Sequence, residues 1–207
     1  MKINSHQQQN NFGGIPIIKT SLQKQICKSS FIPIDAFVSF MEKSDLDKKG
    51  LELSKWFRTD YGFSILEEAE ETFSKPFKKN AKNFLFVELP QEMKSYSVKA
   101  LASYFNDPEQ IRLTELQSLR PYETLEPIKG AGLMLLYTAS KIAEKLKKAR
   151  LYLVSADKPK TVDFYRQAGL IEGENRNFTL PSDMFKSFQQ KIEEKFPVLK
   201  FFEENIK

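Results

Sequence analysis

Leu135, Ala139, Ile142, Leu146 and Ala149 recur at intervals of four, three, four and three residues, and Lys141, Glu144, Lys145 and Lys148 fall between them. That is the period of a helix with one apolar and one charged face. Glu144 and Lys148 have the i,i+4 spacing of a favourable ion pair. "RLYLV" (150–154) then reads as a compact strand, and "KTVDFYRQAG" (160–169) as a short helix closed by Gly169, where a left-handed backbone is favoured. Upstream, "NFLFVEL" (83–89), "SVKALASYF" (97–105) and "IRLTELQSL" (111–119) are strand-like runs, the last two separated by the turn formers of "NDPEQ". Together they predict an antiparallel meander feeding a strand–helix–strand–helix parallel crossover, hence an α/β fold with a mixed sheet.

The ends are less regular. "GIPIIKTSL" (14–22) reads as an opening strand, whereas Ile34, Phe37, Val38 and Met41 in "IDAFVSFMEK" (34–43) have helical spacing. Residues 44–62 suggest a helical segment with Ser44 as N-cap and Leu46, Leu53, Trp56 and Phe57 as its buried stripe; "SILEEAEETFSK" (64–75) predicts another helix, stopped before Pro76. "NFTL" (177–180) suggests a further strand, and "PSDMFKSFQQKIEEKF" (181–196) a C-terminal helix with Met184, Phe185, Phe188 and Ile192 on one side. The expectation is a polar, poorly ordered tail over residues 1–14, then one domain over 15–207 with N-terminal helices and a C-terminal helix.

With 207 residues, 41% of them hydrophobic, the chain can bury a substantial core. It holds no run of about 18 or more apolar residues, so no membrane span is predicted; the N-terminus lacks an apolar signal core, and cytoplasmic residence is expected. Cys27 is the only cysteine and His6 the only histidine. An intrachain disulfide, a thiolate metal cluster, a His-dependent nucleophile and a histidine-rich zinc site therefore lack their parts, and no metal is expected. The net charge of +5 is concentrated in "KPFKKNAK" (75–82) and the lysines around 141–148 and 158–160. No aromatics interleave these runs on a recognisable module, so solvated faces or a small polyanionic ligand are better readings than a nucleic-acid groove.

"PIKGAGLMLL" (127–136) puts Gly130 and Gly132 directly before the long helix. Unpaired N–H groups and the helix dipole make such a start a natural phosphate site, though the same glycines also serve as a purely structural helix start. The NTPase phosphate loop is excluded because no Lys-Ser or Lys-Thr follows, and the dinucleotide fingerprint lacks its third glycine, with Leu135 in that place. From Gly130 to Leu170 the glycine turn, long helix, short strand and "DFYRQAGL" resemble the coenzyme A-binding half of the GNAT superfamily of N-acetyltransferases, and with the meander the resemblance extends over residues 83–170. In that family the loop reads Q/R-x-x-G-x-G/A, and a later helix carries a Tyr followed by Gly-Phe. Here Pro127 stands at the Gln/Arg position, Lys158 at a usual Asn seven residues before Tyr165, and Leu170 in place of Phe.

The resemblance implies a GNAT-like fold and transfer of an acetyl group from acetyl-CoA, as co-substrate, to a primary amine. The backbone of Lys129, Gly130, Ala131, Gly132 and Leu133 would hold the pyrophosphate, with Lys129 partly substituting for the missing Gln or Arg. Backbone around Gln117, Ser118 and Leu119 would polarise the thioester carbonyl. Tyr165 would protonate the departing thiolate, its alternative being a packed helix aromatic. Glu115 would act as general base through water, or is an ordinary strand carboxylate facing solvent; Tyr122, Glu123 and Glu126 are further substrate-side candidates. Lys158 and Arg166 would meet the phosphates or simply be solvated. Expected partners are acetyl-CoA and an amine-bearing acceptor, with the chain a monomer or homodimer; the competing reading is a catalytically inactive GNAT-like module that binds coenzyme A or another protein.

Overall fold

The computed structural model describes residues 14–27, 29–47, 65–74, 82–89, 98–118, 128–156 and 158–206. Its frame is a ten-stranded mixed sheet made of β1 (Ile15–Cys27), β2 (Ser30–Phe40), β3 (Asn83–Glu88), β4 (Val98–Asn106), β5 (Gln110–Ser118), β6 (Ile128–Lys129), β7 (Arg150–Val154), β8 (Ile171–Glu172), β9 (Asn177–Pro181) and β10 (Val198–Phe201). The spatial order is β10-β1-β2-β3-β4-β5-β7-β9-β8, with the short β6 also paired to β1. The longer helices among the described residues are α1 (Ile65–Ser74), α2 (Ala131–Lys145), α3 (Pro159–Ala168) and α4 (Phe185–Glu193). The meander β3-β4-β5 and the parallel β5–β7 crossover through α2 stand where the apolar runs put them.

Alternation along β3 sorts the core into two layers. Leu85 and Val87 join the larger cluster, which includes Met134, Leu135, Ala139 and Ile142 of α2 and Phe185, Phe188 and Ile192 of α4. Phe84 and Phe86 join a smaller one with Ile65 and Ala69 of α1, Met41 and Leu46. Glu67 and Glu68 occupy the first turn of α1, where carboxylates complement the helix dipole.

Three sequence expectations change. Residues 34–43 are not a helix: Ser30–Phe40 form β2, hydrogen-bonded to β1 along its length and to β3 over Phe37–Phe40. Ala36–Ser39 are all buried because both faces of this strand are covered, and a continuous apolar run of that kind carries no period to separate strand from helix. Ser44 is not an N-cap, since helical residues run from 43 to 47 and the Asp45 carboxylate accepts a hydrogen bond from the Glu42 N–H at 2.8 Å instead. The rest of the 44–62 segment lies outside the described residues, as does most of the N-terminal tail.

The third change is at the C-terminus. The chain does not stop in α4; it turns through Pro197 into β10, which pairs antiparallel with β1. β8 and β9 supply the terminal strand pair, β9 lying antiparallel between β7 and β8. α4 packs on α2, so the face of α2 expected to be solvated is partly covered. Tyr137 donates to Glu193 at 2.5 Å, and Gln189 donates to Ser140 at 3.3 Å and to Glu144 at 3.1 Å. The expected Glu144–Lys148 pair is accordingly absent: the Lys148 ammonium donates to the carbonyls of Asp107 at 2.8 Å and Pro108 at 3.2 Å.

Candidate functional site

The candidate site lies where β5 runs on past the end of β7. β5 runs parallel to β7 over Gln110–Leu113, facing Arg150–Leu153; β7 ends at Val154, while β5 continues to Ser118 paired with β4. A bulge stands at this point: Tyr104 opposes Leu113 and Ser103 opposes Glu115, which leaves Thr114 as the extra residue. A bulge bends its strand and increases its twist. The Thr114 hydroxyl anchors it, 2.8 Å from the Ser103 hydroxyl and donating to the Ser103 carbonyl at 3.3 Å. Past the bulge, the backbone edge of β5 from Glu115 to Ser118 has no strand on the β7 side among the described residues.

The glycine turn lies at the start of α2. Gly130 has φ +99°, a left-handed conformation that a side chain would strain, and a Cβ there would come within 2.5 Å of the Phe196 ring. Its carbonyl accepts from the Met134 N–H at 2.8 Å, so the helix starts here and the N–H groups of Ala131, Gly132 and Leu133 have no intrahelical partner. Gly132 differs from Gly130. A Cβ on it would meet Leu116 at 3.5 Å and Phe164 at 3.6 Å, which is ordinary contact, so Gly132 lies beside side chains of both β5 and α3. Backbone N–H groups without an intrahelical partner at a helix start are a favourable place for an anion.

α3 carries Tyr165 next to Phe164, the ring beside Gly132. Pro159 in its first turn and Gly169 at its C-cap, φ +95°, set its limits. Tyr165 is buried edge-on to Phe164 and tilted on Phe178, with ring centroids 5.2 and 5.3 Å away. Among the described residues its hydroxyl has no hydrogen-bond partner. Burial, and then the nearby charge of Glu115, push its phenol up to about 12. Glu115 is half-buried, and its carboxyl is raised above the ordinary range, first by desolvation and next by the charge of Glu68, with Lys82 pulling it back. The Lys82 ammonium lies 2.7 Å from Glu68 Oε2. Tyr165 and Glu115, chosen from sequence 50 positions apart, are thus within electrostatic reach of each other.

The other sequence-derived candidates divide. Gln117 and Ser118 lie on the open part of β5, opposite Leu101 and Ala100. Ala131, Gly132 and Leu133 form the first turn of α2. Lys129 precedes that turn, with its ammonium 3.9 Å from the centroid of the Phe31 ring. Arg166 is engaged by its neighbours: its guanidinium binds Glu172 through two hydrogen bonds of 2.5 and 3.1 Å and Asp163 through one of 3.3 Å. Lys158 is the exposed N-cap residue of α3. Leu119, Tyr122, Glu123, Glu126 and Pro127 lie outside the described residues. Sequence reasoning missed Glu68, Lys82 and Phe196. Glu68 and Lys82 read as one charge among several on a helix face and in a basic run, and Phe196 sits 66 positions from the glycine it touches. Among the described residues no group of three His, Cys, Asp or Glu side chains could hold a metal ion, and no helix is long and apolar enough to cross a membrane.

No family model matches the sequence, and no curated protein matches it. Solved structures do match by shape. A spermidine/spermine N-acetyltransferase, SpeG from Vibrio cholerae, solved with manganese ions, superposes with a TM-score of 0.50 at 18% identity over 73% of this chain and 95% of that one. The ribosomal-protein-S18-alanine N-acetyltransferase of Escherichia coli gives 0.48 at 17% over 70% and 93%. The PaiA N-acetyltransferase of Thermoplasma acidophilum, in complex with coenzyme A, gives 0.45 at 16% over 70% and 96%.

Proposed function

We propose that this chain, which has the GNAT N-acetyltransferase fold, moves an acetyl group from acetyl-CoA to a primary amine by direct attack. The observation that supports the reading is that β5 past the Thr114 bulge, the glycine turn of α2 and α3 are neighbours: Gly132 lies beside Leu116 of β5 and Phe164 of α3, and the charge of Glu115 reaches the Tyr165 phenol.

When bound, acetyl-CoA supplies the activated acyl carbon. The N–H groups of the glycine turn hold its pyrophosphate, aided by the positive end of α2. The exposed N–H groups of β5 toward Gln117 and Ser118 polarise the thioester carbonyl and stabilise the oxyanion that forms on attack. An amine acceptor arrives as an ammonium with an ordinary pKa near 10.4, so it must lose a proton before it is a nucleophile. Glu115, ionised, takes that proton through water. As the carbon–sulfur bond breaks, the extra proton on the nitrogen that attacked passes to the leaving sulfur, and Tyr165 donates a hydrogen bond to that sulfur while it is still a thiolate. With its phenol near 12 it is a weaker acid than a thiol, whose ordinary value is about 8.5, so it stabilises the developing charge by hydrogen bonding and need not lose its proton outright.

The test is thermal stability with and without acetyl-CoA, followed by thiol release against a panel of amines. Ligand at about 100 times its dissociation constant adds about 2.7 kcal/mol. For a domain of this size that raises the melting temperature by roughly 5–10 °C. No shift at saturation removes the reading. A second reading, a coenzyme A-binding module without turnover, is favoured by Lys129, whose ammonium stacks on Phe31. Stabilisation by acetyl-CoA with no thiol release from any amine selects it.

A further inference from the structure

The glycine turn is held by parts of the chain remote from it in sequence. On one side Ile128 and Lys129 pair antiparallel with Lys24 and Gln23 of β1. On the other, the Phe196 ring stands against Gly130 so closely that a Cβ on the glycine would lie 2.5, 2.6 and 2.9 Å from three ring carbons. The ring is itself fixed. Phe196 is buried, its N–H donates to the Ile192 carbonyl at 2.8 Å, and the next carbonyl, of Pro197, accepts from the Thr20 hydroxyl at 2.9 Å and the Ser21 N–H at 3.1 Å. β10 then ties the segment to β1. α4, Phe196 and β10 therefore form a clasp that ends on the backbone of the glycine turn.

We propose that Phe196 is a positioning residue for the anion cradle: by filling the space against Gly130 it fixes the left-handed turn, and thereby orders the N–H groups of Ala131, Gly132 and Leu133 before any ligand arrives. A cradle ordered in advance spares the ligand the entropy of ordering it. An isolated helix start, by contrast, frays. Coupling runs both ways, so a bound pyrophosphate tightens the clasp as much as the clasp tightens the pyrophosphate. The consequence for coenzyme A rests on the transferase reading above; the ordering of the turn does not.

The experiment separates the two. In Phe196→Ala, amide hydrogen exchange at Met134, whose N–H closes on the Gly130 carbonyl, is expected to accelerate about tenfold or more, while exchange at Ala139 in mid-helix changes by less than about twofold. Phe196→Leu, which keeps most of the bulk, returns Met134 to within about threefold of the parent rate. In the same variants the dissociation constant for coenzyme A is expected to rise about tenfold in Phe196→Ala and to recover in Phe196→Leu, with the KM for acetyl-CoA following it and kcat at saturation holding within about twofold. Equal acceleration at Met134 and Ala139, or none at either, overturns the proposal, as does an unchanged coenzyme A affinity in Phe196→Ala. If the parent protein binds no coenzyme A, the transferase reading fails and the exchange data alone decide the role of Phe196.

Discussion

Glu115 is asked to be an anion in a place that disfavours anions. It is half-buried, it faces Glu68, and only Lys82 offsets them. Its raised pKa has one consequence for catalysis and another for stability. For catalysis, a base works only when ionised, so the acidic limb of the kcat/KM profile should lie above the ordinary carboxylate range. It should move down in Glu68→Gln, which removes a like charge, and the limb should vanish with most of the activity in Glu115→Gln. For stability, the folded value exceeds the unfolded one. The group favours the fold fully below the unfolded value and loses that contribution as pH rises through the folded value. Glu115→Gln should therefore melt higher than the parent at neutral pH and show no advantage at a pH below the ordinary value of 4.5; equal melting temperatures at neutral pH would count against the burial argument.

Tyr165 carries the complementary expectation. Tyr165→Phe keeps the packing against Phe164 and Phe178 and removes only the hydroxyl, so turnover should fall about 100-fold with the KM for acetyl-CoA within about twofold. A loss confined to KM would make Tyr165 a packing residue after all. Both residues stand out as candidates in the sequence because each sits at a fixed offset from a glycine or a strand end. Their environments do not: burial and the charge of Glu115 raise the phenol, and burial and the charge of Glu68 raise the carboxyl against the pull of Lys82, all through tertiary packing that leaves no local pattern.

At the level of elements, the start of α2 separates its two glycines by function. Gly130→Ala forces a side chain into a left-handed conformation and into the Phe196 ring, and should cost about 2–4 kcal/mol of stability. Gly132→Ala meets only ordinary contacts inside a helix, where alanine is favoured over glycine by about 0.5–1 kcal/mol. Gly132→Ala should thus melt no lower than the parent and bind coenzyme A about as tightly, in keeping with a loop pattern that takes Gly or Ala at this position, whereas Gly130→Ala should lose both stability and affinity. Circular dichroism melts and calorimetric titration of the two variants check both halves. α2, α3, β7 and the meander were readable because each has one face buried or clear turn residues at its ends. β2 was not, because strand neighbours on both edges and packing on both faces erase the alternation that identifies a strand. The bulge at Thr114 has no signature beyond a threonine among strand formers.

Taken whole, the molecule has a GNAT-like fold whose last segment returns to its first strand. Asn205 donates to the Pro16 carbonyl at 2.6 Å and the Phe202 N–H to that of Ile17 at 2.8 Å, while the Lys145 ammonium meets Glu203 at 2.7 Å. These contacts join α2 to both ends of the described chain. Sequence could announce α4 from its apolar stripe but not its destination, since nothing in a stripe says which face it will cover. The return has a further effect at the borders of the sheet. Without it, the 13-residue β1 would present a long outer rim of unpaired peptide groups, a template for any passing extended chain. With β10 lying along Ile18–Thr20 and β6 along Gln23 and Lys24, that rim is interrupted, and the two-residue β8 gives the opposite border little length. The segment proposed to steady the anion cradle thus also shields part of the longest strand from edge-to-edge pairing.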